Sequence, residues 1–152
     1  MQLINLLPFL TLAAAAPKAA PTPSNYENVD IADFAVRKEQ SASGEAPTFS
    51  SVSFKLSGDD ATDLACSASN PDFSGEIFTC GDSKYRFALK SGSDDAEFGL
   101  TLYHELGPAV GVWGEGNVPT YCRAGGNGPN DFICQQVAAV TIGLNSDGSH
   151  AQ

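Results

Sequence analysis

The chain has 152 residues, a formal net charge of −10 and four cysteines. This length suits one domain with a real hydrophobic core and is too short for two. Nucleic acids and anionic membranes are recognised by clustered lysine and arginine, whereas only 8 basic residues accompany 18 scattered acidic ones here. The composition therefore argues against nucleic acid or a membrane as a partner and permits a basic one.

The amino terminus has the layout of a secretory signal peptide. Residues 1–15 carry no charge, are rich in leucine and alanine, and lead into small residues. The apolar stretch is too short to span a bilayer as a helix, and Pro8 interrupts it. We predict a signal peptide over residues 1–15, a flexible Pro- and Ala-rich leader over 16–25, one domain over 26–145 and a disordered tail over 146–152. The protein is therefore expected to be secreted and extracellular.

Alternation of apolar and polar residues predicts an all-β fold. The first run has Val29 and Ile31, then changes phase to Phe34 and Val36, which indicates a bulge in the first strand. No window has the helical spacing of apolar residues over a sizeable length. We predict a compact antiparallel barrel or sandwich of about eight to eleven short strands, with little helix. Later alternating runs contain Val52, Phe54 and Leu56; Tyr85, Phe87 and Leu89; Phe98, Leu100 and Leu102; and Val110 and Val112, with Trp113 on the opposite face.

The four cysteines predict two disulfide bonds, because an even number in a secreted chain is oxidised in pairs. Four cysteines allow three connectivities. We favour Cys66 with Cys80 and Cys122 with Cys134, because each pair encloses a short, hairpin-sized loop. Zinc is the competing use, but no Cys-x-x-Cys pair and no histidine at ligand spacing is present, so no metal site is predicted.

A search for catalytic groups gives no assembled active site. His104 and His150 are the only histidines, and the second lies in the polar tail. The Gly81-Asp82-Ser83 triplet lacks the strand-to-helix setting of an esterase nucleophile and is interpreted as a turn. We therefore predict no catalytic residue and no cofactor.

Acidic pairs keep a glycosidase open as an alternative, since that reaction needs two carboxyl groups in different states. The pairs at residues 59–60 and 94–95 lie beside Ser-Gly turns, which favours solvated turn acids. The remaining candidates are Glu76, Glu97, Glu105 and Glu115.

The most distinctive segment runs from Tyr121 to Gln135 and places a glycine-rich loop between two cysteines. A disulfide would fix this loop, and arginine and tyrosine beside it suit recognition of another molecule. The alternative is a structural corner in which Arg123 pairs with a nearby acid. The candidate binding residues are Trp113, Tyr121, Arg123 and Asn127.

The mature part of the chain resembles a known family of fungal proteins. The shared segments are YCRAGGNGP at 121–129, DFICQ at 131–135, IADF at 31–34, RK at 37–38, LACSA at 64–68 and TCG at 79–81. They are similar to the fungal major-allergen family typified by the Alternaria allergen, which includes secreted elicitors of the plant hypersensitive response. SKYRFALKSG and LYHELG are closer to the elicitor branch.

The resemblance implies a β-barrel with two intrachain disulfides at the favoured pairs and no known catalytic activity. It also implies binding of a thaumatin-like pathogenesis-related protein of the plant and, for the allergen, a flavonoid-type ligand. The allergen dimerises through an extra cysteine ahead of the first strand. This chain has no cysteine before Cys66, so no disulfide-linked dimer is expected, while a noncovalent dimer stays open.

Our leading hypothesis is a secreted fungal effector or elicitor that binds plant apoplastic proteins, triggers or modulates plant defence, and is a potential allergen. The first alternative is a small-ligand carrier that uses Trp113, Tyr121 and Arg123. The second is a cell-wall-directed hydrolase that uses acids such as Glu97 or Glu105.

Overall fold

A computed structural model describes residues 26–147 as ten strands. The predicted signal peptide and leader, and the tail from residue 148, lie outside the described residues. No helix occurs in the described range, and nothing there could cross a membrane in helical form. The strands are β1 (Tyr26–Glu39), β2 (Thr48–Gly58), β3 (Ala61–Ser69), β4 (Phe78–Thr79), β5 (Tyr85–Ser91), β6 (Phe98–Gly107), β7 (Val110–Val118), β8 (Thr120–Ala124), β9 (Asp131–Gln136) and β10 (Val140–Asn145).

All pairings between these strands are antiparallel, and the order across the sheet is β3-β2-β1-β10-β7-β6-β5-β4. The β8–β9 hairpin lies beside the second half of β1. The sheet curls into a nearly closed barrel, because its two end strands, β3 and β4, approach each other. This confirms the predicted all-β barrel, its strand number and the scarcity of helix.

A bulge divides β1 into two halves with different neighbours. Before the bulge β1 pairs with β10, and after it β1 pairs with β9. The register against β2 shifts between Ala32 and Ala35, and Asp33 adopts a positive φ of 54°. The phase change from Ile31 to Phe34 predicted this bulge correctly. By absorbing the extra residues, the bulge keeps both halves of β1 facing the core.

The disulfide Cys66–Cys80 closes the barrel. Cys66 lies in β3 and Cys80 follows directly after β4, so the bond joins the two ends of the sheet. The predicted pairing is confirmed, but the enclosed loop is not a hairpin, because β3 and β4 lie at opposite ends of the strand order. The second predicted bond, Cys122–Cys134, joins residues directly opposite each other in β8 and β9.

The barrel interior is filled with aromatic and aliphatic side chains from the inward positions of the strands. Phe34 packs against Phe54 and Phe98 with ring centroids 6.1 Å apart in both pairs, and Phe54 meets Phe87 at 4.9 Å. Aromatic pairs of this kind contribute roughly 0.5–1.5 kcal/mol beyond their buried area. The residues predicted to face inward in β5 and β6, namely Phe87, Leu89, Leu100 and Leu102, are all buried, but Ala88 and Thr101 between them are buried too. The outward-facing side chains of the strands are thus carried on a well-packed interior.

Candidate functional site

The glycine-rich loop between β8 and β9 is organised around one buried carboxylate, Asp131. The side chain of Asp131 is 7% exposed. Its Oδ2 accepts a hydrogen bond of 2.9 Å from the backbone N–H of Asn127, and its carbonyl oxygen accepts one of 2.8 Å from Gly125 N–H. Gly126 and Gly128 have φ values of 95° and 132°, a region that favours glycine. The loop is therefore fixed by contacts at its base as well as by the disulfide.

Arg37 of β1 completes the base of this loop. Its Nε donates to Asp131 Oδ1 at 2.9 Å and its Nη2 to Asp131 Oδ2 at 2.6 Å, which is the two-point geometry that arginine makes with a carboxylate. Nη2 also donates to the carbonyl of Gly125 at 3.3 Å. The hydrogen bonds from Arg37 and from the Asn127 amide hold the pKa of Asp131 below its ordinary value. The loop and the second half of β1 thus form one rigid corner, called here the stapled corner (residues 121–135 with Arg37).

The structural role that we considered for Arg123 belongs to Arg37. Arg123 is exposed, and within residues 26–147 it forms no ion pair with an acid. Tyr121 is 69% exposed and lies two residues before Arg123 on the same outer face of β8. The segment is therefore a structural corner, but not through an ion pair of Arg123, and Tyr121 and Arg123 are both exposed to solvent.

The outer face of β8 continues onto β9. Tyr121 lies opposite Gln135, and Arg123 lies opposite the half-buried Ile133. On the inner face of the same hairpin the Cys122–Cys134 bond packs toward the core, where Cys134 is fully buried. The structure thus brings Tyr121, Arg123 and the Asn127 loop together on one stapled corner.

Trp113 belongs to a different surface. It lies on β7, opposite Tyr103 of β6, and is 36% exposed. A groove of about 470 Å³ beside it is lined by residues of β5, β6 and β7 and by the segment leading into β5, and none of the other three predicted binding residues lines it. Arg86 and Glu105, which form an ion pair of 3.1 Å, also line this groove. The structure therefore separates Trp113 from Tyr121, Arg123 and Asn127.

A wider groove of about 700 Å³ lies at the β1 bulge, between residues 31–34 and residues 135–139. The amide of Gln136 holds this region together: its Oε1 accepts from Phe34 N–H at 3.1 Å, and its Nε2 donates to the carbonyls of Ile31 at 2.9 Å and Ala138 at 2.8 Å. None of the four predicted binding residues lines this groove. Its lining comes from the β1 bulge, from the end of β9 and from the segment that leads into β10.

Three of the acids considered for a hydrolase are ion-paired with basic side chains. Glu105 pairs with Arg86, as described above, Glu115 contacts Lys90 Nζ, and Glu97 binds Lys38 Nζ through both oxygens at 2.6 and 2.7 Å. Glu97 also lies next to Cys122 and Cys134, but those two sulfur atoms are bonded to each other and offer no thiolate to a metal. The Asp94 and Asp95 pair lies in a turn with positive φ values of 52° and 69°, as expected for turn acids.

Sequence reasoning missed a buried polar cluster at one end of the barrel. His104, Glu27 and Tyr85 are all buried there. Glu27 Oε2 lies 2.6 Å from His104 Nδ1, and Glu27 Oε1 accepts a hydrogen bond of 2.6 Å from the Tyr85 hydroxyl. Burial and the bond to Glu27 raise the pKa of Tyr85 above its ordinary value.

The strand alternation contained the signal for this cluster. Glu27 lies on the same face of β1 as the buried Val29 and Ile31. His104 lies on the same face of β6 as the buried Leu100 and Leu102. Each residue therefore extends by one position a series of inward-facing side chains. No serine, threonine or cysteine hydroxyl or thiol is among the groups that hydrogen-bond to His104 in the described range. The cluster thus lacks the nucleophile of a hydrolase triad.

Comparison with known proteins agrees with this architecture. The family model described as Alternaria alternata allergen 1 matches residues 31–134. The effector protein PevD1 of Verticillium dahliae is 57% identical over 128 residues, which cover 84% of this chain and 77% of that protein. The major allergen Alt a 1 of Alternaria alternata is 31% identical over 144 residues, covering 88% of this chain and 87% of the allergen.

A crystal structure of Alt a 1 superimposes with a TM-score of 0.62 at 30% identity, over 85% of this chain and 95% of that one. The higher identity to the effector confirms that the chain is closer to the effector branch than to the allergen. The chain therefore belongs to the Alternaria alternata allergen 1 family, whose named members include an effector protein and allergens.

Proposed function

We propose that this protein is a secreted effector that binds a plant protein of the apoplast through its stapled corner and triggers or modulates plant defence. The observation that carries the proposal is the exposed pair Tyr121 and Arg123, on a strand that leads into a fixed loop, in a chain that is 57% identical to an effector protein. No catalytic step is part of it. The partner class follows the resemblance, and a thaumatin-like pathogenesis-related protein is the first candidate.

Physical reasoning favours this surface for protein recognition. Tyrosine and arginine are enriched among the residues that dominate binding energy at interfaces. A loop that is already ordered loses little conformational entropy on binding, because its glycines are fixed before the partner arrives. The Arg123 guanidinium is one of few basic groups on a strongly acidic protein. An acidic group of the partner would therefore meet an unpaired positive charge at this corner.

Leaf infiltration tests the function. The natural protein is expected to cause a defence response, and the double variant Tyr121→Ala/Arg123→Ala to lose most of it while keeping its fold. The matched control is Trp113→Ala/Arg86→Ala, which removes an aromatic residue and an arginine from the groove beside Trp113. A response that persists in the first variant and disappears in the control would overturn the assignment of the stapled corner.

A second candidate function, that of a small-ligand carrier, is favoured by the groove beside Trp113. A half-exposed tryptophan with Tyr103 opposite it could stack on a planar ligand of the flavonoid type. Trp113 is the only tryptophan of the chain, so ligand titration followed by its fluorescence reports on this groove alone. Saturable quenching of the Trp113 fluorescence that becomes weaker in Tyr103→Ala would support the carrier function. Fluorescence that does not change during the titration would contradict it.

A further inference from the structure

The buried histidine His104 has carboxylates on two sides. Its side chain is 1% exposed, and its ring stacks on Tyr85 with centroids 4.0 Å apart and planes 16° apart. Nδ1 lies 2.6 Å from Glu27 Oε2, and Nε2 lies 3.2 Å from Oδ2 of Asp60. Asp60 differs from Glu27 in that its side chain is 68% exposed and lies on the turn between β2 and β3.

The two nitrogens of His104 have different partners. Glu27 Oε1 accepts hydrogen bonds from the Tyr85 hydroxyl and from the N–H of Asp59 at 2.9 Å, so Oε2 is the oxygen left to contact His104 Nδ1. With an ionised carboxylate there, Nδ1 carries the proton of this contact. Nε2 is buried and, among residues 26–147, has no aligned hydrogen-bond partner, because the ion-pair contact with Asp60 is close enough but poorly directed. In a neutral imidazole with its proton on Nδ1, the lone pair of Nε2 would therefore face the carboxylate of Asp60.

The neighbouring strands bring no further charged side chain next to the His104 ring. Its cross-strand neighbours are Tyr85 on β5 and the apolar Val112 on β7. The flanking charged residues Lys84 and Glu105 alternate away from it and line the outer groove beside Trp113. Among the described residues, Glu27, Asp60 and Tyr85 are thus the titratable groups that face the imidazole.

We propose that His104 and Asp60 form a pH-operated latch on the β2–β3 turn. With a proton on Nε2, the imidazolium holds Asp60, and the turn is fixed. When that proton leaves, the nitrogen presents a lone pair to the carboxylate, and Asp60 swings into solvent. The turn is therefore held when the imidazole is protonated and released when it is neutral.

Two further contacts connect the turn to the same cluster. The N–H of Asp60 donates to the Tyr85 hydroxyl at 3.1 Å, and the N–H of Asp59 donates to Glu27. Both amides belong to the turn that carries the Asp60 side chain, so they lose protection when the turn moves away from the cluster. Their hydrogen exchange therefore reports directly on its state.

Hydrogen exchange measured by NMR at about pH 5 and about pH 8 tests the latch. After correction for the intrinsic exchange rates, protection of the Asp59 and Asp60 amides is expected to fall by roughly threefold or more at the higher pH. Asp60→Asn removes the charged partner but stays on the surface, so it should fold and show little change between the two conditions. Asp59→Asn is the matched control, because it removes an equal charge from the adjacent position and should behave like the natural protein.

The latch makes a second prediction that does not depend on any substitution. The ¹⁵N chemical shift of His104 Nε2 should change over the same pH range as the protection of the turn. Equal protection at both pH values, or a pH dependence that Asp60→Asn leaves intact, would overturn the proposal.

Discussion

Arg37 and Asp131 are 94 residues apart in the chain and form a two-point ion pair at the base of the stapled corner. Because the arginine lies on β1 and the aspartate begins β9, this pair attaches the glycine-rich loop to β1. Tyr121 and Arg123 are held instead by the pairing of β8 with β9 and by the Cys122–Cys134 bond. The side chains proposed to bind a partner are therefore separate from those that hold the loop.

Asp131→Asn should loosen the loop without unfolding the barrel. The substitution keeps the size of the side chain but removes the charge that Arg37 and the Asn127 amide share, and hydrogen bonds to a charged acceptor are the stronger kind. Hydrogen exchange at the Asn127 amide should become at least roughly fivefold faster. Asp72→Asn serves as the control: Asp72 is exposed and accepts from the Ser74 amide, but no arginine binds it. Unchanged exchange at Asn127 would contradict the role of Asp131.

The same ion pair predicts the direction of a pH effect. Because Arg37 and the Asn127 amide lower the pKa of Asp131 in the folded protein, the pair stabilises the fold above the ordinary aspartate pKa of about 3.9. This contribution to stability is lost as the pH falls through the lowered pKa of Asp131. In urea unfolding, the natural protein should therefore be more stable than Asp131→Asn at about pH 6, and the difference should shrink toward about pH 2. A constant difference would show that the charge is not responsible.

The side chain of Gln136 should contribute more to the free energy of unfolding than that of its neighbour Gln135. Its amide pairs three backbone groups at the β1 bulge, whereas Gln135 is exposed on the outer face of β9. Gln136→Ala leaves those groups without their partner and is expected to lower the free energy of unfolding by about 1–3 kcal/mol. Gln135→Ala should change it by less than about 0.5 kcal/mol. Equal effects in urea unfolding would show that water replaces the Gln136 amide.

The two disulfides should differ in what they hold together. They enclose similar separations of 14 and 12 residues, so the loop-entropy model gives each about 3 kcal/mol. Cys66→Ala/Cys80→Ala should expose the amides of β3 and β4 to exchange, because the sheet ends are no longer joined. Cys122→Ala/Cys134→Ala should affect β8, β9 and the loop instead. The same exchange pattern in both variants would contradict a barrel-closing role for the first bond.

Strand alternation predicted much of this fold because side-chain direction in a strand depends only on local sequence. The bulge after Ile31 followed from the phase change alone, and the cysteine pairs followed from chain separation. What Cys66–Cys80 joins could not be predicted in that way, because the pairing of strands across a barrel depends on contacts between distant segments.

The site was predicted less completely for the same reason. Tyr121, Arg123 and Asn127 are close in sequence and come together, whereas Trp113 is separated from them once β7 and β8 are placed. Arg37 could not be identified as the partner of Asp131 because nothing local connects residues 94 positions apart. Glu27 was not considered at all and His104 only as a catalytic base, although the alternation placed both of them inside.

The most direct test of the account is capture of binding partners from plant apoplastic fluid by immobilised protein, followed by affinity measurement on the purified partner. The natural protein should retain a plant protein, with a thaumatin-like protein among those identified, and Tyr121→Ala/Arg123→Ala should weaken its affinity by at least about tenfold. Trp113→Ala/Arg86→Ala should leave the affinity unchanged. Equal binding by the natural protein and the Tyr121/Arg123 variant would contradict recognition through the stapled corner.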